Sequence, residues 1–343
     1  MNREKVLPLN VAVVGLGFMG ATHARAWMEV PEARLAAVMS SNERKLSGDL
    51  TSVGGNLGLE AGILDFSNVR KYRAFEEVLS DPEIDAVDIC LPTDQHSRAG
   101  LDVLASGKHV LIEKPLGLKP EDCRRLIDEA RARGRVLMGG QVLRFLPAYS
   151  LLRDIVSQGS PVRSAFFRRR CSAPDWSPWL SDPARSGGGV FDLLIHDVDY
   201  CISLWGVPRS VRATGHEDIP RGIDVIHGEL DYPNVGPVEI TGGWHHPKSY
   251  PFSMQFTVVT DAATMDWNMG EPDLRVYRAD GELEPRKLDE YDPFTRELEY
   301  FASCALDGTH PDFCPPEQSA AAVEVMIKLL ESRARGGQTL TCR

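Results

Sequence analysis

The 343-residue chain has no apolar run near the ~20 residues that a membrane-spanning helix requires, so it is not read as a membrane protein. It also lacks a basic excess. Lys and Arg number 38 against 49 Asp and Glu, a net charge of −11, which excludes a broad positive surface for nucleic acid. No two of its seven cysteines (Cys90, Cys123, Cys171, Cys201, Cys304, Cys314, Cys342) stand two residues apart, so neither a zinc knuckle nor a redox CxxC is present. Their odd number reads as reduced thiols in a cytoplasmic protein. Repeats and low-complexity segments are absent. A composition 43% hydrophobic and 25% charged excludes a disordered or fibrous chain. Arg3 and Lys5 before an apolar stretch have the outline of a secretory leader, but Pro8, Asn10 and three closely spaced glycines suit a strand and loop of the mature protein better.

What is present is an alternation. Residues 9–14, 34–39, 86–90, 109–112 and 136–138 are short apolar runs that read as buried strands. Between them, residues 18–30, 97–106 and 120–133 carry apolar positions at helical spacing. Strands alternating with helices predict βαβ units and a parallel sheet over residues 1–141. Residues 51–62 are Gly-rich and read as loop. From residue 142 the pattern changes. A helix over 147–159, a strand over 162–170 and a long loop over 171–189 precede a helix over 191–204. Six extended segments then follow without intervening helices, which predicts a large, mostly antiparallel sheet. Helices over 293–306 and 316–333 close the chain. The expected organisation is a dinucleotide-binding domain, 1–141, and a second α/β domain, 142–343.

Gly15-x-Gly17-x-x-Gly20 follows the first strand and opens the first helix. Such glycines permit a tight turn, backbone approach to a pyrophosphate and close helix–strand packing, while the helix N-terminus offers free N–H groups to phosphate. Phe18 and Met19 lie within this loop. An NAD site usually places an acid at the end of the second strand for the ribose hydroxyls. Here Ser40, Ser41 and Asn42 stand there, followed by Glu43, Arg44 and Lys45. Small polar residues with Arg44 suit a 2′-phosphate and favour NADP. NAD, with Glu43 on the ribose, is the alternative.

With His109-Val-Leu-Ile-Glu113-Lys114-Pro115 in view, the chain resembles the glucose–fructose oxidoreductase, inositol dehydrogenase and rhizopine-catabolism (Gfo/Idh/MocA) family. The likeness rests on the glycine loop, on Glu113-Lys114-Pro115, and on Gly187-Gly188-Gly189-Val190-Phe191-Asp192 with His196 and Asp199. Pro92, Thr93 and His96 also match a loop over the cofactor. The resemblance implies a Rossmann domain followed by an α/β domain whose open sheet forms a homodimer or homotetramer. It also implies hydride transfer between NAD or NADP and a sugar, cyclitol or related polyol. Lys114, Asp192 and His196 are then the catalytic set, and Glu113, Pro92 and His96 stand near the cofactor. One departure is Leu194, where many relatives carry glycine.

The residues make chemical sense without the family. Lys114 follows a strand at the carboxyl edge, where its ammonium can stabilise a substrate oxygen. Asp192 and His196 are four apart on a helix and share a face, so the carboxylate can orient and charge the imidazole that takes an alcohol proton. Both sets also have plain structural readings, as a surface lysine and a helix-stabilising pair. Arg144 and Arg169 are further candidates for substrate, and Trp176 for stacking on a sugar ring. Trp176 and Trp179 serve equally well to pin the long loop. No metal site is expected, since adjacent His245 and His246 point to opposite faces of a strand. A non-catalytic sugar-binding regulator and a redox glycoside hydrolase are the competing functions.

Overall fold

The computed structural model describes residues 8–55 and 62–342. The leader-like Arg3 and Lys5, and most of the Gly-rich stretch, lie outside them. The chain divides into two compact units, residues 1–141 with 292–319, and residues 142–291 with 320–343. The segment 292–319, which the sequence reading assigns to the second domain, thus groups with the first. The division falls within the last helix.

The first unit is built on a six-stranded parallel sheet. Its strands are β1 (Leu9–Val14), β2 (Ala33–Met39), β3 (Arg70–Tyr72), β4 (Ala86–Ile89), β5 (His109–Glu113) and β6 (Leu137–Gly140), in the order β3-β2-β1-β4-β5-β6. Val11–Val14 and all of β4 and β5 are buried. That is why these strands read as continuous apolar runs instead of alternating ones. Helices α1 (Phe18–Trp27), α2 (Glu43–Leu46), α3 (Phe75–Ser80), α4 (Thr93–Ala105) and α5 (Pro120–Arg133) make the connections. The strand order reverses between β1 and β4, and ligands of open α/β sheets bind beyond the carboxyl ends of the strands at such a point. The expected strands are found. The short β3 and α3, which the sequence reading passes over, complete the edge.

In the second unit α6 (Pro147–Val156) leads into β7 (Val162–Cys171), then the short α7 (Pro183–Ser186) and the long α8 (Gly189–Trp205). Strands β8 (Ser210–Asp218), β9 (Ile223–Asp231), β10 (Val238–Trp244), β11 (Ser253–Thr260), β12 (Ala263–Asn268), β13 (Asp273–Arg278) and β14 (Leu283–Lys287) follow. Helix α9 (Pro293–Asp307) belongs to the first unit, and α10 (Pro316–Ala334) and β15 (Leu340–Thr341) end the chain. The sheet has nine strands in the order β14-β13-β12-β11-β7-β10-β9-β8-β15. Every neighbouring pair is antiparallel except β7 with β10. On β7, Ala165, Phe167, Arg169 and Cys171 are buried while Phe166, Arg168 and Arg170 are half-buried, as the two-residue period of a strand requires. Helix α8 packs on β7, β9 and β10.

Candidate functional site

The glycine loop joins β1 to α1. Gly15 has φ +94°, and a Cβ there would lie 2.7 Å from the Cys90 carbonyl oxygen. At Gly20 a Cβ would fall 1.7 Å from the Gly15 carbonyl oxygen. These two glycines are required by the packing itself. Gly17 differs. It is exposed, stands at the N-cap of α1 without a capping side chain, and a Cβ there would meet nothing within 4 Å. The space before the free N–H groups of α1 is therefore kept open, which fits the pyrophosphate of a dinucleotide. Gly17→Val should lower NADH or NADPH affinity by tenfold or more, about 1.4 kcal/mol, with the melting temperature little changed. Gly20→Val should instead compromise folding. Calorimetry and thermal melting separate the two outcomes.

Phe18 and Met19 are half-buried in the first turn of α1. At the end of β2, the Ser40 hydroxyl accepts the Asn42 N–H at 3.2 Å, and Asn42 caps α2 through the Arg44 and Lys45 N–H groups. Ser41 is exposed. Arg44 donates from Nε to Asp49 at 2.7 Å and from Nη2 to Thr51 at 2.9 Å. The Arg44 bond, with those that the Thr51 hydroxyl and backbone N–H donate to Asp49, holds the Asp49 carboxyl down at about 2. Glu43 pairs with Arg73.

Pro92 caps α4 and is half-buried. His96 is not presented to a ligand. It is 1% exposed, with Nδ1 2.7 Å from the Pro115 carbonyl oxygen and Nε2 2.8 Å from that of Leu91. Burial holds its imidazole below the ordinary range against the pull of those carbonyls. It ties the loop after β4 to the loop after β5, which corrects its reading as a cofactor contact. From Lys108 to Gly117 every residue is buried except Lys114, which is half-buried just past the end of β5. The Lys114–Pro115 peptide is cis. The Glu113 carboxylate turns back to accept the Lys114 backbone N–H at 3.0 Å.

In the second unit the triple glycine has a steric cause. Gly187 and Gly188 have φ +83° and +90°, and a Cβ on Gly189 would sit 2.3 Å from the Trp244 ring. Two left-handed residues turn the chain, and the third lets α8 start directly against Trp244. The buried Asp224 carboxylate accepts the Val190 N–H at 2.8 Å and pairs with Arg333, so a negative charge sits at the positive end of α8. Along residues 191–202 of α8, only Asp192 and His196 are not fully buried.

The arginines have another use. Arg144 forms two 2.8 Å bonds to Asp199, and Arg169 bonds Asp197 at 2.8 and 3.2 Å. All four side chains are at most 3% exposed. Helix α8 thus carries two buried aspartates, each held by an arginine from elsewhere in its unit. The substrate-binding reading of Arg144 and Arg169 gives way to this structural one. Trp176 and Trp179 pack against the core cluster of Cys171, Leu180, Leu193 and Trp244, so Trp176 pins the long loop.

Sequence reading missed a buried polar cluster in the first unit. Asp88 Oδ2 accepts the Trp27 indole N–H at 2.8 Å and lies 2.8 Å from His23 Nδ1. Asp88 inside an otherwise apolar strand is the signal that could have found it. His23, Asp88 and Cys90 bring three potential ligand atoms within 4.8 Å of one another. The shared hydrogen bonds on Asp88 already account for that closeness.

A family model described as "Oxidoreductase family, NAD-binding Rossmann fold" matches residues 9–141, and the GFO/IDH/MocA C-terminal domain model matches 153–266. The chain belongs to the Gfo/Idh/MocA oxidoreductase family. It is 31% identical over 171 residues to trans-1,2-dihydrobenzene-1,2-diol dehydrogenase of Bos taurus, covering 48% of this chain and 50% of that one. It is 31% identical over 190 residues to 1,5-anhydro-D-fructose reductase of Ensifer adhaerens, covering 53% and 54%. The matches thus span about half the length of these curated relatives. Among solved structures, aldose-aldose oxidoreductase from Caulobacter crescentus complexed with glycerol shares the fold with a TM-score of 0.81, 22% identity, and coverage of 97% and 99%. No helix among the described residues is long and apolar enough to cross a membrane.

Proposed function

We propose that the protein is an NAD(P)-dependent dehydrogenase or reductase acting on a secondary alcohol or ketone of a sugar, cyclitol or related cyclic polyol. One observation carries the reading. In each unit a long buried stretch breaks only at the residues that would do the chemistry, Lys114 after β5 and Asp192 with His196 on α8. The two curated relatives support the substrate class, since one is named for a ring diol and the other for an anhydro-sugar ketone.

The bound nicotinamide supplies the two-electron acceptor or donor. The turn that Gly15 and Gly20 make possible, the open space at Gly17 and the N-terminus of α1 would hold the phosphates. His196 takes the hydroxyl proton in oxidation and returns it in reduction. Asp192, one helical turn before His196, would orient the imidazole, and Lys114 would offer its ammonium to a substrate oxygen that gains charge. The chain acts as a homo-oligomer through the open sheet of the second unit and resides in the cytoplasm.

Of the two dinucleotides NADP is the favoured cofactor, with NAD the alternative. Arg44 is 58% exposed, so water screens its pair with Asp49 and leaves it weak. A charge-assisted bond to a 2′-phosphate is worth about 1.5–3 kcal/mol, enough to draw the guanidinium away. NADPH should therefore bind roughly tenfold or more tightly than NADH, and Arg44→Ala should erase the difference. Tighter NADH binding by the unaltered protein, measured by calorimetry, would move the ribose contact to Glu43.

The function is tested by offering cyclic polyols, aldoses and keto-sugars with each dinucleotide and following nicotinamide absorbance. Turnover of one class supports the reading. Product sugar without net change in NAD(P)H would point to the redox hydrolase, and binding without turnover to the regulator.

A further inference from the structure

The cluster around His23 has no part in the scheme above, yet it reaches Lys114 through one residue. His23 lies on α1, three residues past Gly20, and is fully buried. Its Nδ1 is 2.8 Å from Asp88 Oδ2 on β4, and its Nε2 is 2.9 Å from Glu113 Oε1 at the end of β5. The second contact is an ion pair without an aligned hydrogen bond. The ring is covered by Phe294 of α9, with centroids 5.9 Å apart. Cys90 Sγ stands 3.7 Å from Nδ1. Burial is the largest single influence and opposes a charge on this ring, but Asp88 and Cys90 together outweigh it and hold the imidazole well above its ordinary range. The Cys90 thiol beside it is pushed up by burial and stays protonated.

The other oxygen of Glu113, Oε2, accepts the Lys114 backbone N–H at 3.0 Å. Glu113 is itself confined, because a Cβ on Gly140 of β6 would come within 3.3 Å of its Cα and carboxyl carbon. The carboxylate therefore has one oxygen on the histidine and one on the backbone from which Lys114 projects.

We propose that His23 is a positioning residue for Lys114: it fixes the Glu113 carboxylate, and that carboxylate fixes the lysine's backbone. The chain of contacts runs from His23 on α1, which Asp88 holds from its other side, through Glu113 to the backbone of Lys114. A buried cation between two carboxylates costs solvation, and such pairs are weak evidence of stabilisation alone. A role in orientation explains why the cation is kept. A displacement of about 1 Å at a positioned group can cost on the order of 100-fold in rate.

The proposal rests on Lys114 being catalytic, so its test has one arm that does not need turnover. In His23→Gln, the Lys114 backbone N–H should exchange with solvent about tenfold or more faster by nitrogen-15 NMR, while amides of Val11–Val14 keep their protection. With the best substrate from the polyol panel, kcat should fall roughly 10- to 100-fold and NADPH affinity should change less than about threefold. The kcat losses of His23→Gln and Glu113→Gln should be non-additive, since both act on one backbone position. Unchanged Lys114 exchange in a folded His23→Gln overturns the proposal whether or not a substrate is known. Faster exchange without loss of kcat leaves the contact chain standing and removes Lys114 from the reaction, overturning the positioning role. Additive kcat losses also overturn it. If His23→Gln does not fold, Glu113→Ala decides: it removes both acceptor oxygens, and a Lys114 amide that stays protected refutes the link.

Discussion

His196→Ala should lower kcat by about 10²–10⁴-fold, the usual cost of losing a positioned general base, with dinucleotide affinity nearly unchanged. In the proposed scheme the phosphates would lie at the glycine loop before α1, whereas His196 stands on α8. Lys114→Ala should show a loss of similar size. Asp192→Asn should lower kcat less than His196→Ala and displace the pH profile of oxidation if the carboxylate acts on the imidazole as proposed. The losses of Asp192→Asn and His196→Ala should be non-additive, as both serve one proton transfer. Single-turnover measurement with the dinucleotide saturating isolates the chemical step. Near-normal turnover by His196→Ala across the pH range would remove it from the mechanism. Additive losses would recast Asp192 as a ligand to a substrate hydroxyl.

Asp199→Ala should destabilise the protein by about 3–5 kcal/mol, because it strands the Arg144 guanidinium without its carboxylate in the core. Arg144 is 2% exposed, so water cannot replace the lost partner without disturbing the packing. The paired replacement Arg144→Met with Asp199→Leu should recover most of that loss, since an apolar pair of similar volume needs no solvation. Urea denaturation followed by tryptophan fluorescence reads both. If Arg144 instead bound substrate, the double variant would remain inactive after stability was restored. Recovery of kcat together with stability supports the structural role, because α8 would again hold Asp192 and His196 in place.

The proposed site is legible in the sequence to different depths. Gly15, Gly17 and Gly20 stand out because their spacing follows from local sterics, and Lys114, Asp192 and His196 because motif and helical period are both local. His96 was misplaced because its partners, the Leu91 and Pro115 carbonyls, are backbone groups that leave no mark in sequence. Arg144 and Arg169 were misplaced because their aspartates lie 55 and 28 residues away. His23 went unnoticed for the same reason, with Asp88 and Glu113 65 and 90 residues beyond it.

By itself the sequence determined the parallel sheet, the antiparallel sheet and the loop–helix start of the nucleotide site. Each depends on periodicity and turn chemistry over a few residues, and backbone sterics enforce those locally. Only the tertiary structure decided what the charged residues do. It set the parallel pairing of β7 with β10, returned segment 292–319 to the first unit, and chose which cations are buried against which carboxylates. Those choices depend on long-range closure and desolvation, and a charge shows its role only once its partner and its access to water are known.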